Sequence, residues 1–94
     1  MKILAIDRTL PKTTLEKIQP LLKEEAQRAY DLYRRGVFRE MYFRADRPGA
    51  VVVLECSDVE EARSVLASLP LVAANLIEFD LIPLAAFPFE NAFK

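Results

Sequence analysis

Gly36-Val37-Phe38-Arg39-Glu40-Met41-Tyr42-Phe43-Arg44 is where this chain changes its period. Upstream, Leu15, Ile18, Leu22, Ala26, Ala29 and Tyr33 recur at helical spacing, flanked by Leu21 and Leu32. The opposite side carries Lys17, Lys23, Glu24, Gln27, Asp31 and Arg34. Gly36 is the stop, a residue that readily takes the left-handed conformation closing many helices. From Val37 to Ala45 the pattern alternates, so a strand follows. Val37, Met41 and Phe43 form the more apolar side and are expected to face the helices. Phe38, Glu40, Tyr42 and Arg44 are then expected on the other side.

Working outward, Ile3 to Asp7 is a short apolar run that reads as a central strand. Thr13 with Glu16 has capping-box spacing, and Pro20 should kink the helix or mark its proper start. Asp46-Arg47-Pro48-Gly49 is a turn, and Ala50 to Glu55 a second central strand. Ser57 with Glu60 opens another helix, whose buried stripe is Ala62, Val65, Leu66 and Leu69 and which Pro70 ends. Ile77 to Ala86 is the last strand, and Pro83 within it points to an edge or a bulge. Phe87 to Lys94 is a tail with three phenylalanines, expected to pack on the rim of the fold or on a neighbouring subunit. The order is βαββαβ, the split βαβ pattern of ferredoxin-like folds. An α+β fold follows, an antiparallel four-stranded sheet with two helices on one face.

Ninety-four residues make one domain, residues 1–94. With 52% of residues hydrophobic, so short a chain has apolar surface to spare, which suggests a homodimer or higher assembly. A net charge of −1, without an aromatic-plus-basic patch, argues against a nucleic-acid partner. No run is long enough for a membrane span, and the N-terminus reads as a strand and not as a signal peptide. One cysteine, Cys56, excludes an internal disulfide and fits a reducing compartment, so a cytoplasmic location is expected. Cys56 reads as a small buried hydrophobe.

The stretch from Leu22 to Phe87 resembles the muconolactone isomerase family. The likeness rests on the Arg-Gly helix end before Val37-Phe38-Arg39, Tyr42 on that strand, and Glu55 leading through Ser57-Asp58-Val59-Glu60-Glu61-Ala62 into a helix. Leu69-Pro70-Leu71, Glu78, Asp80 and Pro83-Leu84 complete it, and Leu-Pro-Leu is its most specific piece. The resemblance implies a dimeric α+β barrel, two sheets facing each other across a cavity with the helices outside. It also implies relatives that move a double bond in a lactone by proton transfer. This chain departs from that enzyme in having no histidine and an almost wholly apolar first strand.

The missing histidine removes Ser-His-Asp and Cys-His catalysis and any zinc set, and two glycines leave no phosphate loop. No metal or cofactor is expected. Carboxylates, tyrosines and arginines around an apolar barrel cavity remain. Glu40 is the expected base and Tyr42 the donor to an enolate oxygen, the two catalytic candidates. Phe38 dries the site and Arg44 holds the carboxylate of a small, apolar, anionic ligand. The alternative is a binding or assembly protein of the same fold without turnover, in which Glu40 and Arg44 are ordinary cross-strand partners. Glu78 and Asp80 share a strand face, as an acidic edge that discourages further pairing or as a cation or acid-base pair. Glu24-Glu25 reads as a solvated helix face, with Glu25 near the buried stripe.

Overall fold

Strand β1, Lys2–Thr9, lies inside a four-stranded sheet of order β2-β3-β1-β4. The computed structural model describes residues 1–93. β2 is Phe38–Phe43, β3 is Ala50–Glu55 and β4 is Ile77–Leu84, and every neighbouring pair is antiparallel. Short helix α1, Leu15–Ile18, passes through a 3-10 turn at Gln19–Leu21 into α2, Leu22–Arg34. Pro20 sits in the first turn of that 3-10 segment, where its missing N–H costs little. α3 is Val59–Ala67, α4 Pro70–Ala73 and α5 Phe89–Ala92. This is the expected α+β, ferredoxin-like βαββαβ fold.

Ladder register assigns the faces. Ile3 pairs with Leu54 and Ala5 with Val52, and all four are buried against the helices. Ala29 and Leu32 of α2, with Ala62 and Leu66 of α3, close this core from above. Leu4, Ile6, Val51 and Val53 point the other way, and β4 adds Ile82, which is exposed. Among the described residues, that second face is apolar at its centre and carries no helix.

Three sequence expectations shift. Phe38 pairs with Leu54 while Glu40 pairs with Val53, so a bulge at Arg39 places two residues opposite one. The bulge turns Phe38 onto the helix side, where it is 1% exposed, and leaves Glu40 and Tyr42 on the open side. Plain alternation had put Phe38 on Glu40's face. Secondly, the caps fall one residue later than expected. Thr14 accepts from the Lys17 N–H, whereas Thr13 donates its hydroxyl to the Leu76 carbonyl at 2.8 Å. Asp58 likewise accepts from the Glu61 N–H at 2.8 Å, and Glu61 receives both Ser57 donors. Thirdly, Pro70 does more than end α3, because it opens α4.

Pro83 lies on the edge strand β4, where no ladder donor is missed. Arg8 binds Glu78 and reaches Asp80 at 3.3 Å, so the acidic pair shares one cation across the strands. Cys56 is buried, and burial raises its thiol pKa. Phe87 and Phe89 stack on one another with ring centres 4.7 Å apart, and with Phe93 they remain exposed, off the rim of their own chain. Lys94, the end of the expected tail, lies outside the described residues. Among the described residues no helix is long and apolar enough to cross a membrane.

Candidate active site

Helix α2 packs on the sheet through Ala29 and Leu32, and along one side of it a gap remains. The gap is a cleft of about 420 Å3 on the helix side of the sheet. Leu22, Ala26, Tyr30 and Tyr33 of α2 form one wall. Phe38, Met41 and Phe43 of β2 form another, and Leu71, Ile77 and Phe79 close the far end. The amphipathic stripe of α2 thus serves partly as core and partly as lining. Tyr30 and Tyr33 are exposed for that reason and not through loss of packing.

Two carboxylates interrupt this apolar lining, Asp7 and Glu25. Asp7 follows Ile3 and Ala5 on the helix side of β1. Burial raises its pKa, partly offset by a hydrogen bond from the Ala50 backbone and by the charges of Arg44 and Arg47. Glu25 projects from α2 and accepts from the Leu71 N–H at 2.9 Å. Its pKa is raised by burial and again by the negative charge of Asp7, with the Leu71 bond opposing both. The Leu-Pro-Leu element explains that bond. Pro70 has no N–H, so the first donor of α4 is Leu71, and it is turned to Glu25.

Gly49 lies against Asp7. Its φ is +149°, and a Cβ there would lie 2.9 Å from Asp7 Oδ1 and 3.3 Å from the Arg44 Cδ. Asp7 and the hairpin between β2 and β3 approach this closely because residue 49 has no side chain.

Of the four sequence candidates, only two meet. Tyr42 donates its hydroxyl to Glu40 Oε1 at 2.8 Å, and this bond raises the tyrosine pKa. Both side chains are exposed at the edge of the open face. Arg44 turns away from them and forks onto Asp46, Nε to Oδ1 at 2.9 Å and Nη2 to Oδ2 at 2.7 Å. Phe38 lines the helix-side cleft, across the sheet from Glu40. Asp7 and Glu25 were missed as a pair. The signal was present for each alone: Glu25 lies beside the apolar stripe, and Asp7 continues the inward period of Ile3 and Ala5. Their meeting depends on how α2 crosses β1. Among the described residues, no group of three or more histidines, cysteines or carboxylates is placed to hold a metal.

Fold and cleft together define a ferredoxin-like α+β protein with an apolar cleft that carries two carboxylates. Residues 4–90 match the family described as muconolactone delta-isomerase, and the chain belongs to that family. A crystal structure of muconolactone isomerase has the same fold, with a TM-score of 0.77 and 23% identity over 94% of this chain and 92% of that one. A 5-chloro-2-hydroxyhydroquinone dehydrochlorinase from Burkholderia phenoliruptrix, in complex with 2,5-dihydroxybenzoquinone, aligns with a TM-score of 0.65. It is 14% identical over 95% of this chain and 98% of that one. No curated relative matches by sequence.

Proposed function

We propose that this chain is an isomerase that moves a double bond in a small unsaturated lactone or related ring by proton transfer in the helix-side cleft. The observation that supports it is the pairing of Asp7 with Glu25 in an otherwise apolar recess. Their surroundings separate their roles. Asp7 lies within the field of Arg44 and Arg47, which favours its ionised form. Glu25 feels Asp7's negative charge, which favours its protonated form. Burial raises both pKa values, and with cations beside one carboxyl and a like charge beside the other they can divide the work of base and hydrogen-bond donor.

In this reading Asp7 takes the allylic proton, and the C–H electron pair enters the conjugated system. Negative charge develops on the ring carbonyl oxygen, where protonated Glu25 donates a hydrogen bond. Asp7 then returns its proton to the far carbon, so the ring is isomerised and the enzyme restored without a cofactor. Phe38 and Phe79 exclude water, which strengthens both interactions.

A panel of small unsaturated lactones, followed by ultraviolet absorbance, tests this. Asp7→Asn should abolish turnover while binding persists. Glu25→Gln keeps a hydrogen-bond donor and should lower kcat by roughly 10²–10³-fold, the range for losing one oxyanion donor. Binding without turnover in the unaltered protein would instead favour the non-catalytic alternative.

The Tyr42–Glu40 bond favours a second reading, a site on the open face covered by a second copy. There Glu40 is the base, Tyr42 the donor and Arg44 the anion holder once it leaves Asp46. Turnover lost in Glu40→Gln but kept in Asp7→Asn would select this site.

A further inference from the structure

We propose that Asp46 is a positioning residue for the cleft reaction: it holds the Arg44 guanidinium in its own fork, so that Asp7 stays free of an ion pair and can take a proton. The inference rests on the cleft being the reaction site with Asp7 as its base.

Asp7 and Arg44 crowd one point at the hairpin between β2 and β3. The position of a Gly49 Cβ is 2.9 Å from Asp7 Oδ1 and 3.3 Å from Arg44 Cδ. The guanidinium carbon is two bonds beyond that Cδ, so rotation about the end of the side chain is enough to bring its nitrogens to Asp7. It is turned to Asp46 instead, through Nε and Nη2, one to each carboxylate oxygen. The Arg44 side chain is 23% exposed and that of Asp46 is 65% exposed, so an outer carboxylate draws the cation outward from a mostly buried stem. The Arg44 N–H, donating to the Gly49 carbonyl at 2.9 Å, fixes the backbone beneath it. A two-toothed contact of this kind is the strong form of the pair. It holds the Asp46 carboxyl down at about 2, so the fork stays closed across neutral pH.

Among the described residues, Glu25 faces Asp7 from α2, Arg47 acts on it from the hairpin, and the Ala50 backbone bonds it from β3. Phe79 lies opposite it on β4. Arg44 in its present place favours the Asp7 carboxylate through its charge alone. A direct bond would favour it further and would occupy an oxygen that must take the proton. A carboxylate paired in that way is a weaker base and a blocked one.

The test is a double-mutant cycle of Asp46→Asn and Arg44→Leu. Two measurements read it: carbon-13 titration of the Asp7 carboxyl, and the pH profile of kcat for a β,γ-unsaturated methylbutenolide. Asp46→Asn releases Arg44, so the Asp7 titration and the acid limb of the profile should both move to lower pH. At neutral pH kcat should fall by about tenfold or more, a part of the roughly 10²–10⁴-fold that a positioned base supplies. Adding Arg44→Leu removes the released cation, which should return the titration to higher pH and recover most of the lost kcat. Asp46→Glu, which keeps a carboxylate for Arg44, should stay close to the unaltered protein. If Asp46→Asn and the double variant lose kcat alike while the Asp7 titration stands still, Asp46 only braces the hairpin. That result overturns the inference and leaves the cleft as the reaction site. A gain in turnover in Asp46→Asn that Arg44→Leu cancels overturns it too, and assigns the freed Arg44 to the ligand. Turnover that persists in Asp7→Asn, or is absent from the unaltered protein, ends the cleft reading and the inference with it.

Discussion

The Leu71 N–H donates to Glu25 Oε1 at 2.9 Å, across 46 positions of the chain. This contact ties the start of α4 to the middle of α2. It also fixes a carboxylate that would otherwise swing to solvent with its neighbour Glu24. A half-buried carboxylate with one charge-assisted bond and an apolar surround is held in place without being fully satisfied, which leaves one of its oxygens for a ligand.

Phe38→Ala should cost about 3–5 kcal/mol of stability, the usual range for emptying a buried phenylalanine site. Arg39→Ala, at the bulge itself, should stay within roughly 0.5 kcal/mol, as surface substitutions generally do. Urea unfolding of both variants checks this. Equal, small effects would mean that Phe38 faces the open side after all.

Gly49→Ala forces a Cβ to within 2.9 Å of the Asp7 carboxylate at a φ of +149°. Strain and displacement together should lower stability by about 1–3 kcal/mol. The same substitution should depress turnover, because Asp7 must move. Thermal unfolding and the activity screen, run on one preparation, read both effects.

Burial raises the pKa of Asp7 and Glu25 above their ordinary 3.8 and 4.5. Their contribution to stability is therefore greatest below those unfolded values, and it is lost as pH rises through the higher folded ones. Asp46 runs the opposite way. Arg44 lowers its pKa to about 2, so its contribution is present above 3.8 and lost as pH falls towards 2. The double variant Asp7→Asn, Glu25→Gln should flatten the stability loss on the upper side of pH 4 and retain the acid limb below it. Denaturant midpoints measured from pH 2 to pH 8 would show the two limbs separately.

The open face of the sheet places Leu4 beside Val53 and Ile82, apolar and without a helix over it. A second copy applied there by a two-fold axis would build the barrel that the family resemblance implies. Leu4→Glu puts a charge on that face in both copies at once. Sedimentation at micromolar concentration should then find a monomer where the unaltered chain gives a dimer or larger. A monomeric unaltered chain would remove the basis for the barrel.

The sequence by itself determined the order of strands and main helices and the family, because these depend on local period, on Gly36 and on Leu69-Pro70-Leu71. It also marked Glu40 and Tyr42 as polar residues on a strand, which they are, but extended that strand to Ala45, whereas β2 ends at Phe43 and Arg44 lies just beyond it. It placed Glu40 and Tyr42 on the open face, where they are, but not Phe38 on the opposite one. One unpaired residue, Arg39, reverses the pleat, and a bulge depends on the fit of β2 to β3 and not on the composition of either. The tertiary structure alone brought Asp7 to Glu25. They lie on different elements, and their approach follows from Ala29 and Leu32 seating α2 on the sheet beside a cleft that Leu22 and Tyr30 line. Burial raises both pKa values only after that packing exists, so the chemistry of the cleft is a property of the fold and not of either residue's neighbours in sequence.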